Sequence, residues 1–217
     1  MTVLDMCPTS DAAPTAPVDP IAVLEALARA KFAYSTRFVA DHPDRASFGV
    51  DTDRTLAPRD GDVVLARVQE IGKHKRLEGP TSRRQTLFIG DEIVIAYGSR
   101  YAADQFLTKL PSDLGTCHLA AAGGLASEVV EQHESIEEAT VIEPIGLVTD
   151  AAGVRLNLRD LAPLQVTEAG PSTGHAPVIA VLGTSMNSGK STLLACLAHG
   201  LSRAGLRTSK VTVSPGR

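Results

Sequence analysis

The run Val178-Ile-Ala-Val-Leu-Gly-Thr-Ser-Met-Asn-Ser-Gly-Lys-Ser-Thr192 constrains this chain more than any other stretch, because its residue types and spacing name a ligand. Val178 to Leu182 is short, apolar, rich in β-branched residues and preceded by Pro177, as expected of a buried parallel strand. From Gly183 to Gly189 the residues are small or polar apart from Met186, and an amphipathic helix is expected to open at Lys190. Strand, small-residue loop, Gly-Lys-Ser and helix, in that order, predict a phosphate-binding loop.

Successive backbone N–H groups of such a loop, with the unsatisfied N–H groups of the helix start, form a concave donor surface that fits a di- or triphosphate. Lys190 would place its ammonium on the β- and γ-phosphates, and the Ser191 hydroxyl would ligate Mg²⁺. A bulky Cβ would hold the backbone off the phosphates, and Ser185, Asn187, Ser188 and Gly189 meet that need, with Met186 pointing outward. Leu193, Leu194, Leu197, Ala198, Leu201 and Ala204 then recur at helical spacing, Gly205 closes the helix, and Arg207 to Val213 reads as a second parallel strand.

Against the spacing G-x-x-x-x-G-K-[ST], the first position here is Thr184 and the glycine, Gly183, comes one residue earlier. Gly183-Thr184-Ser185-Met186-Asn187-Ser188-Gly189-Lys190-Ser191-Thr192 resembles the G-T-x-x-x-x-G-K-[ST]-T loop of the dethiobiotin synthetase and cobyric acid synthase families, relatives of the MinD-like ATPases. Ser185 stands where MinD-like proteins carry an extra lysine. The resemblance spans about Pro177 to Val213 and implies binding of ATP and Mg²⁺. It also implies a catalytic role for Lys190 and for a lysine on the second strand, where Lys210 is the matching candidate. GTP stays open as the nucleotide, because no base-reading segment is present.

Upstream the patterning differs. Met1 to Asp19 is rich in Ala, Pro, Thr and Asp and reads as a disordered arm. Asp19-Pro20 is a helix start, with Ile21, Leu24, Leu27, Ala28, Tyr34 and Phe38 as a helical stripe reaching about Ala40. Asp44 to Asp60 reads as a loop anchored by Phe48 and Val50. Strands are expected at Asp62–Ile71, Gln85–Ile89, Glu92–Tyr97 and Cys117–Ala122, with a hairpin of Thr140–Val148 and Val154–Leu158 and a helix over Ala126–His133. Leu164 to Ala176, with Gly170, Pro171, Ser172, Thr173 and Gly174, reads as a linker.

The fold class expected is therefore an α/β P-loop fragment, a single βαβ unit over 177–217, following an α+β domain over 20–163 with a small antiparallel barrel-like core. One βαβ unit gives the helix leucines too little sheet to bury against. The chain is accordingly expected to be the N-terminal part of a longer protein, or to complete its C-terminal sheet by docking on the β domain, by oligomerising or on a partner chain.

Other candidates are weaker in chemistry. Lys73-His74-Lys75-Arg76 and Arg83-Arg84 fall on the two arms of one hairpin, which reads either as a solvated surface or as a contact for phosphate groups. Cys117-His118 would project to opposite faces of a strand, which does not suit a nucleophile and its base. Ser127-Glu128 and the acidic run Glu131 to Glu138 read as a solvated face, Cys196 as a small buried helix residue, and His199 as structural or exposed. Cys7, Cys117 and Cys196 show neither a C-x-x-C spacing nor an even count, so neither a disulfide framework nor a structural zinc site is expected.

A formal net charge of −4 gives no general attraction to nucleic acid or to a membrane, and no apolar run approaches the length of a membrane span. The expected setting is the cytoplasm, and the expected partners are a nucleotide and a small-molecule substrate of unknown identity. Mg²⁺-ATP binding coupled to ATP-dependent ligation or amidation of a carboxylate is the leading functional expectation. A non-catalytic protein whose β domain recognises a metabolite, a protein or RNA is the other.

Overall fold

Val63-Val64-Leu65-Ala66 and Ile93-Val94-Ile95-Ala96 are buried without alternation, so each of these strands needs cover on both faces. The computed structural model describes residues 19–163, 177–183 and 188–209 and shows how that cover is supplied. The described elements, in chain order, are helix α1 (Pro20–Arg29), strand β1 (Lys31–Phe32), helix α2 (Arg37–Ala40), strands β2 (Gly49–Asp51), β3 (Val63–Glu70), β4 (Arg76–Glu78), β5 (Arg84–Thr86), β6 (Glu92–Tyr97), β7 (Arg100–Tyr101), β8 (Phe106–Lys109), β9 (Cys117–Ala121), β10 (Leu125–Gln132) and β11 (Thr140–Thr149), and helix α3 (Lys190–Arg203).

Nine strands form one mixed sheet in the order β1-β6-β3-β11-β9-β10-β8-β7, with β2 added alongside β11. β6 also pairs with β10, in parallel through Leu125–Ala96 and Ala126–Tyr97, and so closes β6, β3, β11, β9 and β10 into a ring. The other joints of the ring are antiparallel. Val64, Ala66, Val68, Ile93, Ile95 and Tyr97 point into this ring with Leu119, Ala126, Ile142 and Leu147. Val63, Leu65 and Val94 point the other way, onto Val23, Ala26 and Leu27 of α1. Burial of Val23 and Leu27 on that outer face contributes about 1.5–3 kcal/mol each.

α1 begins where Asp19 caps it, the carboxylate accepting from the Ile21 amide at 3.0 Å with Pro20 in the first turn. It ends at Ala30, which turns extended, and Lys31–Phe32 then lies parallel to β6. Gly124 lets β9, β10 and β6 meet. Its φ is +96°, and a Cβ there would stand 2.1 Å from Ala33 Cβ and 2.8 Å from Ser35 Oγ.

The structure corrects the expected fold class. The described chain is predominantly β with a mixed, partly parallel sheet, not an α+β domain with an antiparallel core, and no βαβ unit follows it. Val178 to Leu182 is not a strand, and Val178 and Leu182 are 91% and 88% exposed. A strand needs a hydrogen-bonding neighbour, and among the described residues none is paired with this segment. α3 buries no residue, so Cys196, expected inside, is exposed.

Smaller corrections have local causes. The expected helix to Ala40 is two helices separated by β1, and α1 turns Val23, Ala26 and Leu27 inward while Ile21 and Leu24 face out. The expected helix over Ala126–His133 is β10, held by β9, β8 and β6. The strand expected at Gln85–Ile89 stops at Thr86, and Val154–Leu158 contributes isolated bridges at Arg155 and Asn157 only. The disordered arm (residues 1–18), the linker (164–176) and the C-terminal part of the expected second strand, from Lys210, lie outside the described residues.

Candidate nucleotide site

α3 starts without a side-chain cap: its first residue, Lys190, follows Gly189, which is left-handed at φ +80° and ψ +3°. The first helical bond runs from the Leu193 amide to the Gly189 carbonyl at 3.0 Å. The amides of Lys190, Ser191 and Thr192 therefore belong to the open end of the helix, with its partial positive charge and no acidic residue in the first turn to neutralise it.

The loop comes back onto this end. A Cβ on Gly183 would lie 2.3 Å from Ser188 Oγ, 2.8 Å from Lys190 Cγ and 3.0 Å from Lys190 Cδ. The Lys190 ammonium donates to Ser188 Oγ at 3.0 Å. Glycine at 183 leaves room for the Ser188 and Lys190 side chains, which would have to shift to admit a Cβ. Gly183, Ser188, Gly189, Ser191 and Thr192 are exposed and Lys190 is half-buried.

Of the residues expected to bind the nucleotide, these six and α3 are brought to one place. Thr184, Ser185, Met186 and Asn187, together with Lys210, lie outside the described residues.

Comparison with protein-family models, with curated proteins and with solved structures finds no match.

The open amides beyond Gly189 are donors of the kind an anion takes, while the space beside Gly183 is filled by the Ser188 and Lys190 side chains. Ser191 lies in the first turn of α3 and is exposed, and its hydroxyl is the group that would hold a cation there. No group of three or more His, Cys, Asp or Glu side chains suited to a metal ion occurs among the described residues.

Elsewhere the candidates resolve into structural roles. Cys117 is buried, and burial pushes its thiol up to about 12, which leaves no nucleophilic thiolate near neutrality. His118 is half-buried and its Nδ1 accepts the Val129 amide at 3.3 Å, which fixes the neutral ring with the proton on Nε2; burial holds its pKa below the ordinary histidine value. Ser127, expected on a solvated face, is buried, and its one hydroxyl hydrogen lies between the Gly98 and Lys109 carbonyls at 2.8 and 2.9 Å. His199 is exposed.

One inward cluster was not legible in the sequence. His74 turns away from its basic neighbours, with Nε2 at 3.1 Å from the Ala120 carbonyl and its ring edge-on to Phe106. The Arg100 guanidinium donates to the same carbonyl at 2.6 Å and to Gln105. Burial, and secondarily Arg100 and Lys73, hold His74 below its ordinary pKa. Residues 74, 100 and 120 lie before β4, on β7 and on β9, and meet only through the fold, so no local motif announces them.

No described helix is long and apolar enough to cross a membrane.

Proposed function

We propose that the segment from Gly183 to Thr192 binds the phosphates of Mg²⁺-ATP, with GTP the alternative nucleotide. The observation that carries this reading is the closure of the loop: Gly183 against Ser188 and Lys190, with a left-handed Gly189 opening α3.

The backbone amides of Lys190, Ser191 and Thr192 would donate to phosphate oxygens, where an anion is favoured by the helix dipole. Lys190 would exchange its bond to Ser188 Oγ for the β/γ-phosphates, a charge-assisted contact stronger than the neutral one it replaces. Ser191 Oγ would hold Mg²⁺, which when bound neutralises charge on the phosphate oxygens. The likeness of the loop to the synthetase families supports extending this to ATP-dependent activation of a small-molecule carboxylate.

The test is amide hydrogen exchange on the whole chain. Mg²⁺-ATP should slow exchange over residues 188–193 and leave β3 and β6 unchanged. Equal exchange with and without nucleotide at saturating concentration would remove the assignment.

A further inference from the structure

The short strands β4 and β5 carry a basic face that ends in an apolar tip. In this hairpin Leu77 is buried, while Arg76, Arg84 and Thr86 point outward, Arg76 directly opposite Thr86. Lys31 Nζ reaches the Thr86 carbonyl at 3.0 Å and lies 5.5 Å from the centre of the Phe88 ring. Arg76, Thr86, Lys31 and Phe88 therefore form one continuous surface. Phe88 is 63% and Ile89 70% exposed, side by side at the crest of the turn that joins this hairpin to β6.

The turn is held rigidly. The Phe88 amide donates to the Asp91 carboxylate at 2.7 Å, the Asp91 amide to the Phe88 carbonyl at 3.1 Å, and the Gly90 amide to the Val68 carbonyl at 2.8 Å. Lys31 is ion-paired with Asp91 beneath it. Two large apolar side chains are thus presented to solvent on a scaffold that loses little freedom when they are covered.

The carboxylates of this region are mostly engaged: Asp91 with Lys31, Glu92 with Arg29 and Arg67, Glu137 with Lys75. Arg76, Arg83 and Arg84 take part in no ion pair among the described residues, and Glu78 is opposite Arg84 in the register. A chain of net charge −4 therefore shows a locally positive face around an apolar tip.

We propose that this face docks on an anionic lipid surface, with Phe88 and Ile89 entering the boundary between headgroups and acyl chains and Arg76 and Arg84 meeting lipid phosphates. The balance of apolar and basic groups selects this partner. A single-stranded nucleic acid would use several aromatic platforms, and here there is one ring, with Lys31 near it and an isoleucine beside it that has no base to stack on. A membrane interface takes both side chains and adds attraction from each nearby basic residue.

The experiment is co-sedimentation of the full 217-residue chain with vesicles of phosphatidylserine and phosphatidylcholine, against vesicles of phosphatidylcholine alone. Binding is expected on the anionic vesicles and not on the neutral ones, and it should weaken with salt. Phe88→Ser with Ile89→Ser should lower partitioning by about 100-fold, as expected for two apolar side chains left out of the interface. Arg76→Glu with Arg84→Glu should lower it by at least about tenfold. These positions are exposed, and unchanged circular dichroism and melting would show that the variants fold. Absence of wild-type binding to anionic vesicles, equal binding by all variants, or retention of single-stranded RNA without vesicle binding would each overturn the proposal.

Discussion

The Lys190 ammonium donates to Ser188 Oγ at 3.0 Å, and Gly183 packs against both side chains. This contact holds the lysine ammonium beside the start of α3. Gly183→Ala would place a methyl 2.3 Å from Ser188 Oγ and 2.8 Å from Lys190 Cγ, so both side chains must move and their contact is broken. We expect nucleotide affinity to fall by about tenfold or more, the equivalent of ~1.4 kcal/mol, in equilibrium titration. The β domain should melt unchanged, since α3 buries nothing.

Gly124→Ala should act on the opposite end of the chain's economy. Its φ is +96° and its Cβ would meet Ala33 Cβ at 2.1 Å, inside the closure between β10 and β6. Backbone strain and overpacking together predict a loss of about 2–4 kcal/mol, read as a lower urea midpoint. A variant as stable as the wild type would argue against the parallel β6–β10 closure.

Two buried hydroxyls should respond with different signs. Ser127 Oγ is tied to the Gly98 and Lys109 carbonyls, so Ser127→Ala leaves those acceptors short and should cost about 1–3 kcal/mol. Tyr97 Oη is buried with only the Cys117 thiol beside it, a weak partner, so Tyr97→Phe should be neutral or stabilising by up to about 1 kcal/mol. Chemical denaturation of both variants checks the pair.

Stability should decline on mild acidification. His74 and His118 are held below the ordinary histidine value of about 6.5. Below that value the unfolded chain takes up protons that the folded rings resist, so the stabilisation present above about pH 6.5 is lost as pH falls toward the folded values. Asp53 and Glu92, whose carboxyls are lowered by hydrogen bonds from Thr55 and Arg29, act in a separate, more acidic window. His74→Gln with His118→Asn keeps the acceptor and donor positions and should flatten the urea midpoint between about pH 6.5 and 5. An undiminished pH slope would show that other groups carry it.

What could be read from the sequence was local in its physics. Glu92 to Tyr97 is uninterrupted by breakers and forms the strand expected there, and Gly205, at φ +80°, closes α3 with the Leu206 amide on the Leu201 carbonyl. Ala126, Val129 and Val130 mimic a helical stripe because a bulge between Val129 and Glu131 breaks the alternation of β10. Cross-strand pairing, which overrode that local pattern, joins residues far apart in the chain. Val178 to Leu182 is the converse case: its composition suits a strand, but strand formation needs a neighbour that composition cannot supply.

The candidate site was legible for the same reason that the sheet was not. Gly183, Gly189, Lys190 and Ser191 lie within a few residues of one another, so their spacing carries their chemistry. His74 and Arg100 meet only through the Ala120 carbonyl, and that meeting depends on the whole barrel.

The central claim is that Lys190 and its loop hold nucleotide phosphates, and calorimetric titration of the chain with Mg²⁺-ATP and Mg²⁺-GTP, with Lys190→Ala as control, tests it most directly. The account predicts saturable binding that weakens by roughly 10- to 100-fold in Lys190→Ala, from loss of a charge-assisted contact worth ~1.5–3 kcal/mol. Absence of binding, or equal affinity in the two proteins, would contradict it.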